Sequence, residues 1–522
     1  MSIATWIDRH AQERPSAPAI RFGDEALDYG RLSALIDGTA AWLRDAHGVG
    51  PGDRVAWLGY NAPDMLALLF AAARLGAILV PLNWRLAPPE LRYVMLDCGP
   101  KLLVVQPAFA DNAEAILHDP ATCEVHVSDP ATGGLARVAT GGSVEDAGSD
   151  DDPLLIVYTS GTTGRPKGAV LTQGAIAANA VNARAMHAMT ANDHVLTVLP
   201  MFHVGGLNIQ TTPVLQAGGT VTLHEKFDPG AALAAVEALR PSLTVLVPAT
   251  LKAMTEHPGW RETDLSSLRA VATGSSDVPI DLMTPFIERG VPVIQVYGAT
   301  ETAPVAIFQT VEDPADELGS IGRPAPGCAV RLVDGDGREV PTGSVGEIEV
   351  KGDTVAIGYW DDDAATAAAF RDGWFRTGDL ALADGNGAYW FRDRIKNVII
   401  SGGENVYPAE LERVLRTLDG VAEAAVVGRP DPRWGEVPVA VVVAAPGAGI
   451  DRESVLAGFQ GRLARFKHPK DVVFVGELPR NALGKVRVEL VKTMATATSA
   501  STAPAGSAPG EPEQQRAEQG SR

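Results

Sequence analysis

Two apolar runs, Leu154-Leu155-Ile156-Val157 and Ala169-Val170-Leu171, flank the stretch Tyr158-Thr159-Ser160-Gly161-Thr162-Thr163-Gly164-Arg165-Pro166-Lys167-Gly168. Runs this short read as buried strands rather than helices, so the stretch is a loop between two strands. Four hydroxyl residues from Thr159 to Thr163, three glycines and Lys167 gather in it. Glycines let backbone come close to a ligand, hydroxyls and N–H groups donate hydrogen bonds, and Lys167 and Arg165 add charge. That suits a polyphosphate. The loop is not a Walker A loop: Arg165 and Pro166 separate Gly164 from Lys167, and Gly168 stands where Ser or Thr is required. Pro166 fixes its own φ and holds Arg165 extended, which stiffens the far end.

At 522 residues the chain is too long for one core, and two or three packed units are expected. A net charge of −20 argues against a general binder of nucleic acid or anionic membrane. An anionic substrate must then meet a local positive site. Cys98, Cys123 and Cys328 are scattered, with neither metal spacing nor a disulfide framework, which favours a reducing, cytoplasmic setting. The N-terminus, Met1 to His10, is charged early and lacks the apolar core of a signal peptide. The longest apolar stretch, Met65 to Ala73, is stopped by Arg74 and Gly76 and is too short to span a bilayer. The sequence sets no oligomeric state and allows a homo-oligomer.

Residues 1–150 alternate helical and strand patterns: helix at Ala40–Asp45, strand at Arg54–Leu58, helix at Pro63–Leu75, strand at Lys101–Val105. Further strands are expected at His194–Pro200, Leu243–Pro248, Ala270–Gly274 and Val293–Gly298. In open parallel sheets ligands gather at the carboxyl ends of strands, so these termini are candidate site positions. From 310 to 395 short β runs are joined by Asp334-Gly335-Asp336-Gly337, Pro341-Thr342-Gly343 and Asp384-Gly385-Asn386-Gly387, which reads as hairpins in a sheet or distorted barrel. Asp379 and Arg394 lie equally far from Asn386-Gly387. If that pair is the turn of a regular hairpin, the two meet across the strands. A smaller α/β unit follows, with helices at Pro408–Thr417 and Arg452–Arg465 and strands at Ala422–Val427, Val437–Val443 and Asp471–Val475. From Ala495 the composition is Ala, Ser, Thr, Pro, Gly, Glu and Gln without apolar periodicity, and disorder is expected.

Thr159–Gly168 resembles, throughout, the phosphate-loop signature of the adenylate-forming superfamily: acyl-CoA synthetases, luciferases and peptide-synthetase adenylation domains. Other matches follow in the family's order. Tyr297-Gly298-Ala299-Thr300-Glu301 resembles the signature whose acidic residue helps hold Mg²⁺ and whose Tyr-Gly backbone borders adenine and the acyl pocket. Thr377-Gly378-Asp379 resembles the motif whose Asp holds the ribose hydroxyls, with Arg394 as a nearby nucleotide contact. Lys396 falls at the family hinge, and Gly402-Gly403 in the loop that turns toward CoA. Lys485, in Pro479-Arg480-Asn481-Ala482-Leu483-Gly484-Lys485, matches the lysine that bridges substrate carboxylate and α-phosphate. His203, in Pro200-Met201-Phe202-His203, matches the family's aromatic or His at the border of the acyl pocket. Gly274-Ser275-Ser276 resembles the adenine-side strand end, although Ser275, Ser276 and Asp277 depart from the usual Gly-Ala-Pro. Read singly, Glu301 is a solvated loop acid, Asp379 and Arg394 a cross-strand salt bridge, and Lys485 a surface charge.

The resemblance implies an α/β adenylate-forming fold. A large multi-sheet N-terminal domain with a β-barrel-like part would cover 1–395, a small mobile α+β C-terminal domain 396–492, and a disordered tail 493–522. It implies catalytic roles for Lys485, Thr300, Glu301 and His203. Nucleotide and CoA contacts are implied for Thr159, Ser160, Gly161, Thr162, Thr163, Gly164, Lys167, Gly274, Ser275, Ser276, Tyr297, Gly298, Ala299, Asp379, Arg394, Gly402 and Gly403. Its activity would be ATP-dependent joining of a carboxylic acid to CoA, with Mg²⁺, through an acyl-adenylate. The pocket borders at 203–207, 274–276 and 298–302 are rich in small residues and show no lysine or arginine. A medium- or long-chain fatty acid ranks first, and an aryl acid such as a hydroxycinnamate or benzoate second. A non-CoA adenylating enzyme and an inactive nucleotide-binding regulator are the rivals; no carrier domain follows Lys485, and both Lys485 and Glu301 are retained.

Overall fold

Alternating apolar runs and helices resolve into four sheets in a computed structural model, which describes residues 2–117, 123–139, 141–159, 165–274, 278–402, 404–480 and 485–497. The chain divides into two compact units, Met1–Lys396 and Asn397–Arg522.

The first unit holds three sheets. The nine-stranded one runs in the order Arg323–Pro324, Ile307–Phe308, Val293–Tyr297, Ala270–Gly274, Leu243–Leu246, His194–Thr197, Thr220–Leu223, Pro18–Phe22, Glu25–Asp28. Its central neighbours are parallel, because helices such as Pro229–Leu239 return the chain between strands. The seven-stranded sheet has the order Gly358–Tyr359, Lys167–Thr172, Pro153–Thr159, Ile78–Pro81, Arg54–Leu58, Leu102–Val105, Glu124–Val127. The Gly-rich region forms a five-stranded antiparallel sheet built on Val345–Gly352 and Trp374–Ala383, with Tyr389–Arg394 paired to the latter.

One buried cluster spans both large sheets and the helices between them. It contains Val195 and Val221 of the first sheet, Val55 and Leu79 of the second, and Leu66 to Phe70 of the helix Pro63–Leu75. Every residue of that helix from Asp64 to Leu75 is buried. Each large apolar side chain removed from water there contributes about 1.5–3 kcal/mol before entropy is counted. Arg74 is tolerated because its guanidinium is paired: Nη2 lies 2.7 Å from Asp8, and Nη1 bonds Asp37.

Caps fix where helices leave the sheets. Asp28 accepts from Arg31 N at 2.7 Å to start Tyr29–His47, and Gly48 ends it with φ +60°. Thr172, the last residue of Lys167–Thr172, accepts from Ala175 N at 3.1 Å and starts Gln173–His187. The exit of the hairpin formed by Pro153–Thr159 and Lys167–Thr172 is thereby fixed.

The second unit has a sheet in the order Glu404–Val406, Ile399–Ser401, Gly435–Ala444, Val421–Asp431, with Asp471–Phe474 parallel to Gly435–Ala444. Two expectations need correction here. The helix expected over Arg452–Arg465 ends at Ala457, because Gly458 packs where a Cβ would come 2.6 Å from Leu418, and Gly461 turns the chain at φ +72°. The disorder expected from Ala495 fails at its first residues, and 498–522 lie outside the described residues. A helix spans Val488–Ala497, and Val491 and Ala495 are fully buried against Val427, Val439 and Val441. Its apolar residues recur at helical spacing, a signal that the Ala- and Thr-rich composition masks.

Candidate active site

The loop hairpin pairs Tyr158 with Gly168 and Thr159 with Lys167. Gly168 is required there: a Cβ would lie 2.6 Å from Ile156 Cγ2 and 3.1 Å from the Tyr158 ring. Ser160, Gly161, Thr162, Thr163 and Gly164 fall outside the described residues, as do Ser275, Ser276, Asp277 and Gly403. Lys167 is described, and its ammonium sits 5.2 Å from the centroid of the Tyr359 ring.

Strand Val293–Tyr297 delivers the second group. Gly298 follows it, where a Cβ would lie 1.7 Å from Pro304 O, so only glycine fits. The chain then makes a short 3₁₀ turn, Thr300–Thr302, with Ala299 N donating to Thr302 Oγ1 at 2.9 Å. This turn carries Thr300 and sets Glu301 in the interior, 8% exposed. Burial pushes the Glu301 carboxyl up from its ordinary range. Tyr359 O–H donates to Glu301 Oε1 at 2.7 Å. Gly274 ends the neighbouring strand, and a Cβ there would lie 2.3 Å from Val296 O.

Asp379 forms the third group. It is 6% exposed and held from two sheets: Tyr297 O–H donates to Oδ2 at 2.9 Å, and Arg394 Nε lies 3.1 Å from Oδ1. Glu347 supports the preceding backbone, accepting from Gly378 N at 3.1 Å and from Arg376 at 2.7 Å. Burial, then the Asp379 charge, push the Tyr297 phenol up, so it remains a donor.

His203 precedes the helix Val204–Asn208, its ring 4.5 Å from that of Phe202. Trp84 meets Phe202 edge-on at 6.3 Å. Gly206 is packed, with Pro200 O 2.3 Å from where a Cβ would stand. Gly205 is less crowded, and a Cβ there would make an ordinary contact with Ile209 Cδ1 at 4.0 Å.

The chain as a whole is similar to known proteins. The sequence matches the AMP-binding enzyme family over residues 7–360 and the AMP-binding enzyme C-terminal domain over 410–485. It is 50% identical to indoleacetate–CoA ligase of Aromatoleum aromaticum, covering 95% of this chain and 98% of that one. It is 44% identical to feruloyl-CoA synthase of an Amycolatopsis species, covering 93% and 97%. Among solved structures it is similar to ATP-bound MatB from Rhodopseudomonas palustris, with TM-score 0.86, 34% identity and coverage of 94% and 99%.

The chain belongs to the AMP-binding enzyme family.

It is an AMP-forming acid–CoA ligase that uses ATP, Mg²⁺ and CoA. Its architecture is that of the adenylate-forming enzymes, a large multi-sheet domain and a smaller C-terminal one. Among the described residues no helix is long and apolar enough to cross a membrane.

In this AMP-binding enzyme Glu301 is buried, and among the described residues no salt bridge joins it to a lysine or arginine. Among the described residues no three His, Cys, Asp or Glu side chains gather as a metal cage. A buried charge without a cation is costly, so a hard cation that also binds phosphate and keeps its own waters fits this donor set.

In the second unit, Gly402 has φ +62° and donates its N–H to Trp434 O at 2.8 Å. A Cβ there would lie 2.7 Å from the Trp434 ring, so the loop needs glycine on both counts. Lys485 is exposed, just before Val486, which bridges to Arg480. Within the first unit, then, Lys167 and Glu301 meet through Tyr359, and Tyr297, Asp379 and Arg394 meet directly.

Sequence reasoning missed three side chains. Tyr359 follows the glycine of Gly358-Tyr359-Trp360, a signal too short to notice. Glu347 reads as an alternating strand residue. Arg85 is distant in sequence, yet its guanidinium lies 4.9 Å over the Trp84 ring and 5.7 Å over that of Phe202. The border expected to lack lysine and arginine therefore has Arg85 one ring removed from His203.

Proposed function

We propose that this ligase activates an aryl acid, of the arylacetate or hydroxycinnamate kind. The observation that carries this reading is the 50% and 44% identity, over nearly the whole chain, to ligases named for indoleacetate and ferulate. It reverses the ranking that placed a fatty acid first. The aromatic side chains around His203, Phe202 and beyond it Trp84, support it, and Gly205, two residues from His203, is uncrowded; both suit a flat ring.

In this reading Asp379, Arg394 and Tyr297 hold the ribose side of ATP, Gly274 and Gly298 border the base, and Lys167 with the Thr159–Gly164 loop holds the phosphates. Glu301 holds Mg²⁺, which when bound neutralises phosphate charge. The acid's carboxylate oxygen attacks the α-phosphorus, the bond to the β-phosphate oxygen breaks, and pyrophosphate leaves. Lys485 stabilises the charge gathering between carboxylate and α-phosphate. The CoA thiolate then attacks the acyl carbon, and AMP leaves with the bonding pair. Lys396 is the hinge residue, and Gly402-Gly403 line the pantetheine path.

Pyrophosphate release with indole-3-acetate, ferulate, benzoate, octanoate and palmitate tests the substrate class. The reading expects kcat/KM for an aryl acid to exceed that for the fatty acids by at least about tenfold. It also expects Gly205→Leu to fall most against the widest ring. A preference for octanoate or palmitate would reject it.

A further inference from the structure

The Gly358-Tyr359-Trp360 segment is fixed from several directions. Gly358 and Tyr359 pair antiparallel with Val170 and Ala169, and Trp360 N donates to Gly168 O at 2.7 Å. Tyr359 N donates to Thr366 Oγ1 at 2.9 Å, and Trp360 Nε1 donates to Asp97 O at 3.3 Å. Gly358 has φ +148°, and a Cβ there would lie 2.7 Å from Thr366 Cγ2. Just upstream, Ala356 N donates to Glu301 O at 2.8 Å. The Tyr359 ring meets Phe370 edge-on, with centroids 5.8 Å apart. The phenol is therefore held by backbone on one side and by a ring on the other.

From that fixed point Tyr359 reaches two groups of opposite charge. Its O–H donates to Glu301 Oε1 at 2.7 Å, and its face lies 5.2 Å from the Lys167 ammonium. Both partners need orienting. The terminal torsion of a glutamate is soft and roughly two-fold, so a buried carboxylate without a fixed bond presents its oxygens over a range of directions. A lysine ammonium ends a flexible four-carbon stem. Among the described residues Tyr359 is the side chain that hydrogen-bonds Glu301.

We infer that Tyr359 is a positioning residue of this ligase: its hydroxyl sets the direction of the Glu301 carboxylate toward the divalent cation, and its ring sets the Lys167 ammonium toward the nucleotide's phosphates. The inference rests on the reading of Glu301 as the carboxylate for the metal. A group that orients a metal-binding carboxylate changes metal affinity about 10–100-fold when removed.

The two halves of the ring separate by substitution. Tyr359→Phe keeps the face and loses the hydroxyl; Tyr359→Leu loses both. ATP is titrated calorimetrically into the full chain with Mg²⁺ and with EDTA, without acid or CoA, and melting midpoints are recorded alongside. For Tyr359→Phe the expected result is an EDTA affinity within about twofold of wild type and a Mg²⁺-dependent gain reduced about tenfold or more. Tyr359→Leu is expected to weaken binding in EDTA as well. Glu301→Gln is the control. If Glu301→Gln keeps the Mg²⁺-dependent gain, the reading of Glu301 is wrong and the inference goes with it. If Glu301→Gln loses the gain while Tyr359→Phe keeps it, the inference alone is overturned. Equal losses in Mg²⁺ and EDTA for Tyr359→Phe, with a lowered melting midpoint, would also overturn it, since the hydroxyl would then only hold the fold.

Discussion

Tyr297 and Asp379 join two sheets through one hydrogen bond of 2.9 Å. Tyr297 ends a strand of the nine-stranded sheet; Asp379 sits within a strand of the five-stranded one. The bond couples a structural joint to the ribose side of the proposed nucleotide site. Tyr297→Phe removes it and leaves a 6% exposed carboxylate with less support. A hydrogen bond to a charged group contributes about 1.5–3 kcal/mol. The substitution is expected to lower stability by about that much and to raise the KM for ATP about tenfold, with a smaller change in the KM for the acid. Denaturant unfolding and pyrophosphate-release kinetics measure the two effects. An unchanged KM for ATP would make the bond a joint only.

Asp64 gives a pH signature to stability. It is 5% exposed in the first turn of Pro63–Leu75, accepting from Ser128 Oγ at 2.5 Å and Leu135 N at 3.3 Å. Burial raises its pKa above the ordinary value near 3.8. A group with a raised folded pKa contributes stability that is full below the unfolded pKa and is lost as pH rises through the folded one. Asp64→Asn keeps an acceptor for Ser128 and removes the titration. The urea midpoint of wild type relative to the variant is therefore expected to fall as pH rises from about 4 upward. A constant difference across that range would show that Asp64 titrates normally.

Under the proposed role of Lys485, Lys485→Ala is expected to separate the two half-reactions. Loss of one charge contact made in the transition state costs on the order of 10²–10³ in rate. Adenylate formation, read by pyrophosphate exchange, is expected to fall by that factor. Thioester formation from supplied acyl-adenylate is expected to change little. Equal loss in both would remove Lys485 from adenylation.

Truncation tests the last described helix. Ending the chain after Met494 deletes Ala495, which is fully buried and whose carbonyl accepts from Arg429 at 3.5 Å. Ending it after Ala497 keeps both. The shorter chain is expected to be less stable by about 1 kcal/mol, from lost apolar burial and a frayed turn. Equal melting curves would mean that the last turn of Val488–Ala497 carries no stability.

The hairpin between Asp379 and Arg394 shows how sequence logic can reach the right pair by an incomplete route. Equal spacing about Asn386-Gly387 predicts their meeting, provided the hairpin is regular. The turn is a different one: Asp384 N donates to Ala388 O and Gly387 N to Asp384 O, which leaves three residues between the closing pair. Gly387 takes φ +82°, as such turns require. That shift alone would break the pairing. A bulge opposite Leu380–Ala381 restores it, since Asp393 pairs with Leu380 while Phe391 pairs with Ala381. Strands were legible where short apolar runs end in glycine or a polar residue, as at Ala270–Gly274. The helix read over Arg452–Arg465 failed because two glycines interrupt it. Backbone close approaches were legible where the motifs carry a glycine, as at Gly168 and Gly298, where a Cβ would clash. Tyr359 and Arg85 were not, because only tertiary packing brings a residue 58 positions beyond Glu301 to its carboxylate, or sets an arginine over Phe202.

The helix Pro63–Leu75 has no face it can show to water. Its Leu, Ala, Met and Phe side chains touch protein all round, and the same cluster contains residues of both large sheets. Such a segment cannot detach by local fraying without exposing apolar surface on every side. Its amide protons can reach solvent only when the two sheets part, so they report the slowest, whole-unit opening of residues 1–396. During synthesis it emerges long before Val195 and Val221 exist to cover it. In that interval it is the part of the nascent chain most in need of a chaperone.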